Sequence, residues 1–548
     1  MGRTASRRRW VTALAAGFLL VGAAVGLHAP AGQALENGVA RTPPMGWNSW
    51  NTFGCNINEA LIRQMADAIV SSGMRDLGYQ YVVVDDCWFN PNRDSAGNLQ
   101  GDPGRFPSGM KTLGDYIHGK GLKFGIYQVP VDKTCAQYFG AYPGATGSRG
   151  HEAQDARQFA AWGVDFLKYD WCSPEGSIND QVATFAKMRD ALAATGRPIV
   201  YSINPNSIHA KTGPQRNWGD VANMWRTTED ITNAWDTGQS NGYPMGIQNI
   251  VNVTVPLASY ARPGGFNDPD MMEVGRGGMT DTEMRSHFAM WAIMASPLIA
   301  GNDIRSMNAA TQTILKNQNL IAINQDPLGL QAVQVSNDGT RRVLAKRLAD
   351  GDVAVALFNQ GSSTTTVSTT AAAVGKSGSS FTLREAWTNA TSTTTGAISA
   401  SVPGHGTVVY RVSGDGTTTP PTTTPPPTTA PPTTAPPTTA PPAGGCRIGA
   451  TVNAWNTGLT EDITITNTGS STINGWSLAF TLPAGQNITG GWNATYTPTS
   501  GQVSARNVSY NATIPPGGSV SIGFQANHTG NSAAPAAFTL NGSPCSRN

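Results

Sequence analysis

Charged residues and histidines are scarce in this chain. Asp, Glu, Lys and Arg together make up 13% of the 548 residues, roughly half of the usual share. The net charge is +2, and no basic stripe is present that could neutralise phosphates, so nucleic acid is not an expected partner. The seven histidines are scattered and no CxxC pair occurs, so we expect no metal site and no other cofactor.

Long apolar runs are also missing, apart from one near the N-terminus. Three arginines, Arg7 to Arg9, precede the run VTALAAGFLLVGAAVGL, and small residues follow it. This order is typical of a secretory signal peptide, with cleavage after Ala31 or Ala34. The run is short for a membrane span. We therefore expect a signal peptide over residues 1–34 and a secreted, extracellular protein without a membrane partner.

Cysteines are few but even in number. The six occur at widely separated positions, and in an exported protein they are expected to pair. Their positions suggest the pairs Cys55–Cys87, Cys135–Cys172 and Cys446–Cys545, although spacing alone does not prove connectivity.

Carboxylates occur at the ends of several strand-like segments. In DFLKYDWC, an apolar, strand-favouring run ends on Asp170, with Lys168 two residues earlier on the same face. A single such Asp is more often the cap of the next helix. Here the pattern repeats in YQYVVVDDCW, MWRTTEDI and GGFNDPD, which end on Asp85 and Asp86, Asp230, and Asp268 and Asp270. The repetition predicts one acidic pocket.

Strand and helix signals alternate over residues 35–328. Eight strand-helix units fit this length, including a helix that starts at Thr280 with Glu283 as a capping box. This is the size and rhythm of a (β/α)8 TIM barrel, in which catalytic residues lie at the carboxyl ends of the strands.

The remaining chain divides into three further segments. Residues 329–413 alternate apolar and polar residues around Asp-Gly turns, which predicts an antiparallel β-sandwich domain. Residues 414–445 form a Pro/Thr-rich linker, which favours extended polyproline II. Residues 446–548 are rich in Thr, Ser, Asn and Gly with short β patterns, and predict a separate β-sandwich.

Five motifs in residues 36–413 carry a family resemblance. MGWNSWNTFG, DDCW, KYD, WRTTEDI and PGGFNDPDMMEVG occur in this order and together resemble glycoside hydrolase family 27. That family includes secreted and lysosomal α-galactosidases. The resemblance implies a retaining mechanism, in which two carboxyl groups about 5–5.5 Å apart act as nucleophile and acid/base. By similarity, Asp170 is the nucleophile and Asp230 the acid/base.

The resemblance also implies a substrate-binding set. Asp85 and Asp86 correspond to paired acids that accept hydrogen bonds from the 4- and 6-hydroxyls of the sugar. Since adjacent strand residues point to opposite faces, both can do so only where the strand breaks into a loop. Trp47 either packs against the sugar's apolar face or belongs to the core. The other substrate-binding positions are Tyr127, Cys135, Lys168, Cys172, Arg226 and Asp270.

Two positions depart from the family pattern. Family α-galactosidases carry a Cys-Glu-Trp run after the fifth strand, whose Glu contacts the 2-hydroxyl. Here SINPNS places Asn204 at the Glu position, which alters recognition of the 2-position. Trp171 is bulkier than the small or polar residue expected after the nucleophile.

The C-terminal segment resembles a family 2 carbohydrate-binding module. Its marks are VNAWNTG, INGWSLAF, GGWNATY, VSYNATIPPGG and HTGNSAAPAAFTLNG. Trp455, Trp492 and Tyr510 match the three aromatic positions of the flat binding face, which suits insoluble polysaccharides such as cellulose. Trp476 matches a buried core tryptophan.

Three hypotheses on function follow. The first is a retaining α-galactosidase that hydrolyses terminal α-D-galactosyl residues of plant galactosides and galactomannans, anchored by its C-terminal module. The second is a β-L-arabinopyranosidase on the same scaffold, acting on a sugar without the hydroxymethyl group. The third is a non-catalytic carbohydrate-binding protein. The intact Asp170 and Asp230 favour an enzyme, and the DDCW pair favours galactose.

Overall fold

The structure is a computed structural model. It describes residues 35–206, 211–414, 445–455, 458–492, 494–507 and 511–547. The predicted signal peptide lies outside the described residues, and so do residues 415–444 of the predicted linker. No helix in the described part of the chain is long and apolar enough to cross a membrane.

Eight parallel strands form the sheet of the N-terminal domain. They are β1 (Met45–Asn48), β2 (Tyr81–Val84), β3 (Lys123–Gln128), β4 (Phe166–Asp170), β5 (Val200–Asn204), β6 (Met224–Arg226), β7 (Phe266–Asp268) and β8 (Leu298–Ala300). Each strand from β1 to β6 pairs with the next in the chain, and β1 pairs with β8. A parallel bridge between Met272 and Ala300 closes the ring after β7. The predicted TIM barrel is confirmed.

Helices follow the strands around the barrel. They are α1 (Trp50–Phe53), α2 (Glu59–Ser71), α3 (Gly109–Gly119), α4 (Cys135–Tyr138), α5 (Glu152–Ala161), α6 (Ile178–Ala194), α7 (Ile247–Thr254), α8 (Asp281–Ile293), α9 (Ala309–Leu315) and α10 (Gln318–Asn324). The side chain of Thr280 caps α8 by accepting from the backbone N–H of Glu283, and the Glu283 carboxylate accepts from the N–H of Thr280. This is the predicted capping box. Helix α8 is almost entirely buried, because it lies between the barrel and the following β domain.

Eight antiparallel strands build the second domain. They are β9 (Val333–Asn337), β10 (Arg341–Arg347), β11 (Val353–Asn359), β12 (Thr365–Thr370), β13 (Phe381–Glu385), β14 (Thr391–Thr394), β15 (Ala397–Val402) and β16 (Thr407–Gly414). Six of them form one sheet, and β12 pairs with β15. Alternate residues of β10 and β11, such as Leu344, Ala354 and Phe358, belong to the same apolar cluster as the barrel core. The two domains therefore form one folded unit.

The C-terminal unit is a separate β-sandwich with its own core. Its strands are β17 (Cys446–Trp455), β18 (Gly458–Asn467), β19 (Ile473–Asn474), β20 (Ser477–Thr481), β21 (Asn487–Trp492), β22 (Ala494–Thr497), β23 (Gln502–Asn507), β24 (Thr513–Ile514), β25 (Ser519–Asn527), β26 (Phe538–Leu540), β27 (Ser543–Pro544) and β28 (Ser546–Arg547). Two five-stranded sheets pack face to face. Trp476 lies in the core and donates its indole N–H to the carbonyl of Asn511 at 2.8 Å, as the sequence predicted.

Candidate active site

A cavity of about 800 Å³ opens at the carboxyl ends of the barrel strands. The strand-end carboxylates predicted to share a pocket line it together, with the exception of Asp268; they are Asp85, Asp86, Asp170, Asp230 and Asp270. Three cations, Lys168, Arg226 and Arg276, line the same cavity. The chain thus concentrates acids at the place where barrel enzymes carry their chemistry.

Asp170 ends β4 and is 7% exposed. The hydroxyl of Tyr127, on the neighbouring strand β3, donates to its Oδ2 at 3.2 Å. Since β3 and β4 are paired with Tyr127 opposite Lys168, the sheet register itself fixes this contact. The pKa of Tyr127 is well above its ordinary value because the ring is buried and Asp170 lies nearby. Tyr127 therefore remains a hydrogen-bond donor to the carboxylate.

Lys168 lies on the same face of β4 as Asp170. Its ammonium group donates to Oδ2 of Asp85 at 2.8 Å, and Asn48 donates to the same oxygen at 2.7 Å. Burial by itself favours the neutral amine, but the charges of Asp85, Asp170 and Asp270 outweigh it and raise the pKa of Lys168. Lys168 is thus a fixed positive charge beneath the acidic cluster.

Asp85 and Asp86 both reach the cavity, because β2 ends at Val84 and the backbone then turns through Cys87, whose φ is 74°. This meets the condition that the sequence set for both acids to face one ligand. Asp86 accepts from the backbone N–H groups of Cys87 at 2.7 Å and Ala136 at 2.8 Å. Burial, only partly offset by the Ala136 N–H and reinforced by the charge of Asp85, raises the pKa of Asp86 to about 7.

Arg226 joins two acids from different loops. Its Nη2 lies 3.0 Å from Oδ1 of Asp230 and 2.8 Å from Oδ2 of Asp270. Burial opposes the charged form, but Asp270 and Asp230 more than compensate and raise the pKa of Arg226. The two acids differ in exposure, since the side chain of Asp230 is 51% exposed and that of Asp270 is 6%. Asp230 is accordingly the acid that water and substrate can reach most easily.

Asp268 lies behind this group rather than on the cavity wall. Its Oδ1 accepts from the backbone N–H of Asp270 at 2.9 Å, which helps to hold the loop after β7. Burial raises the pKa of Asp268 to about 6, although the positive charge of Arg226 acts in the opposite direction.

Two disulfides lie at or next to the cavity wall. Cys135 is bonded to Cys172 and Cys55 to Cys87, and the third bond joins Cys446 to Cys545 in the C-terminal unit. These are the three pairs suggested by the sequence. Sγ of Cys135 lies 3.6 Å from Oδ2 of Asp170, and Cys135 lines the cavity whereas Cys172 lies just behind it. Both sulfurs are in the disulfide, so neither is a thiolate available as a metal ligand.

Besides Cys172, two other predicted substrate-binding residues do not line the cavity. Trp47 is fully buried in the hydrophobic core of the barrel and donates its indole N–H to the carbonyl of Asn302 at 2.8 Å. Asn204 is also buried, and its side-chain oxygen accepts from the backbone N–H of Asn206 at 3.0 Å. Asn204 ends β5 and pairs with Asp170 in the sheet register. Its side chain is shorter than that of a glutamate, and the hydrogen bond from Asn206 holds it within its own turn.

Several lining residues were missed by the sequence reasoning. Trp50, three residues after Trp47, faces the cavity, as do Asn51 and Arg276. Asn51 and Arg276 share the buried carboxylate of Glu273. The second tryptophan of MGWNSW was the available signal for Trp50. Phe139 and Tyr243 also line the cavity, and no periodicity marked them, because both lie in irregular loops.

The aromatic positions predicted for the C-terminal unit can be assessed only in part. Tyr510 lies outside the described residues. Trp455 and Trp492 are the last residues of β17 and β21, but their side chains are not among those described.

Comparison with known proteins agrees with the geometry. The family described as "Alpha galactosidase A" matches residues 42–326, "Alpha galactosidase C-terminal beta sandwich domain" matches 338–412, and "Cellulose binding domain" matches 446–545. The chain is 44% identical to "Alpha-galactosidase A" of Cellvibrio japonicus over 68% of its own length and 93% of that protein. It is also 44% identical to "Alpha-galactosidase" of Cyamopsis tetragonoloba, over 68% of its length and 87% of the relative.

Solved structures give the same result. The crystal structure of α-galactosidase I from Mortierella vinacea superposes with a TM-score of 0.66 and 36% identity, over 70% of this chain and 100% of that one. The same family assignment is supported by the barrel with its acidic cavity, by the β-sandwich that follows it and by the extent of these matches. The chain belongs to glycoside hydrolase family 27, as an O-glycoside hydrolase of the α-galactosidase type that carries a C-terminal cellulose-binding domain.

Proposed function

We propose that this protein is a secreted, retaining α-galactosidase that removes terminal α-D-galactosyl residues from plant galactosides and galactomannans. The observation that carries the proposal is the pairing of two unlike carboxyl groups in one cavity. Asp170 is buried and accepts a hydrogen bond from Tyr127, whereas Asp230 is half exposed and bound to Arg226. A retaining glycosidase uses two carboxyl groups in one site, one as the nucleophile and the other as the acid/base.

In the first step, an oxygen of Asp170 attacks the anomeric carbon while Asp230 gives its proton to the leaving glycosidic oxygen. Lys168 and Tyr127 hold the nucleophile oriented, since one places a positive charge nearby and the other donates a hydrogen bond. The product of this step is a galactosyl ester of Asp170 and a free alcohol.

In the second step, Asp230, now a carboxylate, takes a proton from water, and the hydroxide oxygen attacks the anomeric carbon. The ester bond to Asp170 breaks, and galactose leaves with the configuration it had in the substrate. Exposure of the Asp230 side chain gives water access to this position.

Asp85 and Asp86 support galactose as the sugar. Both are about 1% exposed, so their oxygens lie in a site with little water. A site built to bind a sugar hydroxyl gives a lower kcat/KM for a sugar that lacks it. Such a sugar is therefore rejected. The β-L-arabinopyranosidase alternative requires a ligand without the hydroxymethyl group, which removes a hydrogen bond that one of these carboxylates can accept in addition to those from the protein. A purely carbohydrate-binding role gives no reason for the complete carboxylate set.

Secretion and anchoring complete the proposal. The N-terminal charged and apolar pattern, together with three disulfides, supports export to an oxidising compartment. The cellulose-binding domain supports retention of the enzyme on insoluble cell-wall polysaccharide, where galactosides are locally concentrated.

The test is a direct assay of the purified protein with three nitrophenyl glycosides, the α-galactoside, the β-L-arabinopyranoside and the α-N-acetylgalactosaminide. We expect the α-galactoside to have the highest kcat/KM. The configuration of the first sugar released is then followed by NMR at early times. The α-anomer is expected, whereas initial β-anomer would exclude double displacement.

A further inference from the structure

The described residues include four large apolar side chains that are strongly exposed. They are Tyr138, Phe139, Tyr243 and Leu328, and two of them, Phe139 and Tyr243, line the active-site cavity. Each of these two exposes more than two thirds of its surface, at 69% and 68%. Since exposed apolar surface that borders a groove can mark a ligand-binding site, these two residues are candidates for ligand contact.

We call the part of the cavity lined by buried charged residues its floor, and the exposed part lined by Phe139 and Tyr243 its mouth. The charged residues of the floor, such as Asp85, Lys168 and Arg226, have side chains that are at most 14% exposed. Asp230 lies between the two zones, because its side chain is half exposed yet bound to Arg226. The group that protonates the leaving oxygen therefore stands at the boundary, and the leaving group must extend from there toward the mouth.

The loop that carries Tyr243 is hydrogen-bonded to the backbone of Asp230 through Met245. The N–H of Met245 donates to the carbonyl of Asp230 at 2.9 Å, and the N–H of Thr232 donates to the carbonyl of Met245 at 2.8 Å. The same loop is held by Asn241, whose side-chain oxygen accepts from the N–H of Glu229 at 3.0 Å. Tyr243 lies between these two attachments, so its backbone is held close to that of the acid/base.

Phe139 is anchored in a similar way to the nucleophile side. It follows α4 directly, and its N–H donates to the carbonyl of Cys135 at 3.0 Å. Cys135 is bonded to Cys172, two residues after Asp170. In the same helix, the N–H of Ala136 donates to Asp86 at 2.8 Å. The loop that carries Phe139 is thus tied to two acids of the floor.

We infer that Phe139 and Tyr243 form a leaving-group subsite, which binds the pyranose ring to which the galactosyl residue is attached. Rigid aromatic rings supply large apolar contact area at low entropic cost, and the carbon-bearing face of a pyranose is apolar enough to pack on them. A cavity of about 800 Å³ also lies near the upper end of the range for small-molecule sites and holds more than one sugar ring. The inference rests on the α-galactosidase activity and names two residues that determine which leaving group is preferred.

The consequence concerns selectivity between leaving groups. Contacts to the second ring, if they strengthen as the bond breaks, raise kcat/KM for substrates that carry this ring. Substrates with a methyl leaving group cannot reach the two aromatic residues and gain nothing from them. The ratio of kcat/KM for a disaccharide, α-1,6-galactosylglucose, to kcat/KM for methyl α-galactoside isolates this effect, because both leaving groups are alcohols that need the same acid.

The experiment compares this ratio in the full-length enzyme and in Phe139→Ala and Tyr243→Ala. We expect each alanine variant to lower the ratio roughly tenfold, the equivalent of one aromatic contact. Phe139→Tyr and Tyr243→Phe, which keep an aromatic face, should retain the ratio of the unaltered enzyme. Leu328→Ala, at an exposed apolar residue that does not line the cavity, is the matched control and should leave the ratio unchanged.

Three outcomes overturn the inference. An unchanged ratio in both alanine variants shows that the rings do not contact the leaving sugar. Equal losses on both substrates show that the variants disturb Asp230 instead. If the unaltered protein hydrolyses no α-galactoside at all, the proposed function fails together with the subsite, whereas an active enzyme with an unchanged ratio refutes the subsite alone.

Discussion

The hydroxyl of Tyr127 donates a hydrogen bond to Oδ2 of Asp170 across the β3–β4 pair, at 3.2 Å. The donor lies on one strand and the acceptor ends the next, so the barrel register brings them together. Both groups are buried. A hydrogen bond between a neutral donor and a buried carboxylate orients the charge as well as stabilising it.

We expect Tyr127→Phe to lower kcat by about 10- to 100-fold, since a hydrogen bond to a charged group contributes roughly 1.5–3 kcal/mol. KM should change less, because the hydroxyl contacts the nucleophile rather than the sugar. Tyr142→Phe, which removes a buried hydroxyl bonded to Asp102 away from Asp170, is the control for loss of a tyrosine hydroxyl. A kcat unchanged in Tyr127→Phe would show that Asp170 is oriented by other groups.

Replacing the proposed nucleophile gives the largest expected effect. Asp170→Asn should reduce turnover by on the order of 10⁴-fold or more, because the amide cannot attack the anomeric carbon. The change is nearly isosteric, so the circular dichroism spectrum and Tm should remain close to those of the unaltered enzyme. Asp115→Asn, at an exposed acid paired with Lys111, should retain full activity. Substantial activity in Asp170→Asn, with Asp230 still required, contradicts the assignment.

The buried carboxyl of Asp268 predicts a pH dependence of stability. Its pKa is about 6 in the folded protein and close to 4 in an unfolded chain. Because the folded pKa is raised, the favourable contribution is complete below about pH 4 and is lost as the pH rises through 6. Asp268→Asn, whose amide oxygen can still accept from Asp270, removes this dependence.

The measurement is the free energy of unfolding of both proteins, by denaturant, at intervals from pH 4 to pH 7. The unaltered protein should lose up to about 3 kcal/mol relative to the variant across this range. A difference between the two proteins that is constant over the whole range would mean that Asp268 does not titrate there.

Removal of residues 415–548 should leave the hydrolysis of small soluble galactosides nearly unchanged. Strand β16 ends at Gly414, and the barrel with its β domain is one folded unit with its own core. Binding to insoluble cellulose should fall sharply, because the tether no longer concentrates the enzyme there. Sedimentation with cellulose measures this directly. A truncated protein that sediments as well as the intact one would refute the anchoring role.

The same loss of cellulose binding is expected from the pair Trp455→Ala and Trp492→Ala in the full-length chain. Activity on soluble substrate serves as the internal control, since the two changes lie in the separate C-terminal unit. If the double variant binds cellulose normally, the binding face must use other residues.

The sequence by itself determined the barrel, the β domain and the identity of the acidic cluster, and it suggested the three cysteine pairs that the structure contains. Alternation of strand and helix signals is a local property, and the carboxyl ends of parallel strands necessarily meet at one end of a barrel. Asp170 and Asp230 could therefore be placed in one pocket without coordinates. The two motifs MGWNSW and DDCW likewise located loops that line the cavity.

Tertiary structure decided which members of those loops face the cavity. Trp47 and Trp50 are three residues apart in one motif, yet only the backbone turn at the end of β1 directs the first into the core and the second to the cavity. Asn204 was predicted to bind substrate because it occupies the position of a longer glutamate side chain. In the structure it does not line the cavity, and its side chain accepts a hydrogen bond from Asn206 in its own turn. Phe139 and Tyr243 lie in irregular loops, where no periodicity predicts exposure. Their position follows from hydrogen bonds and a disulfide formed with distant segments, which only the folded chain brings together.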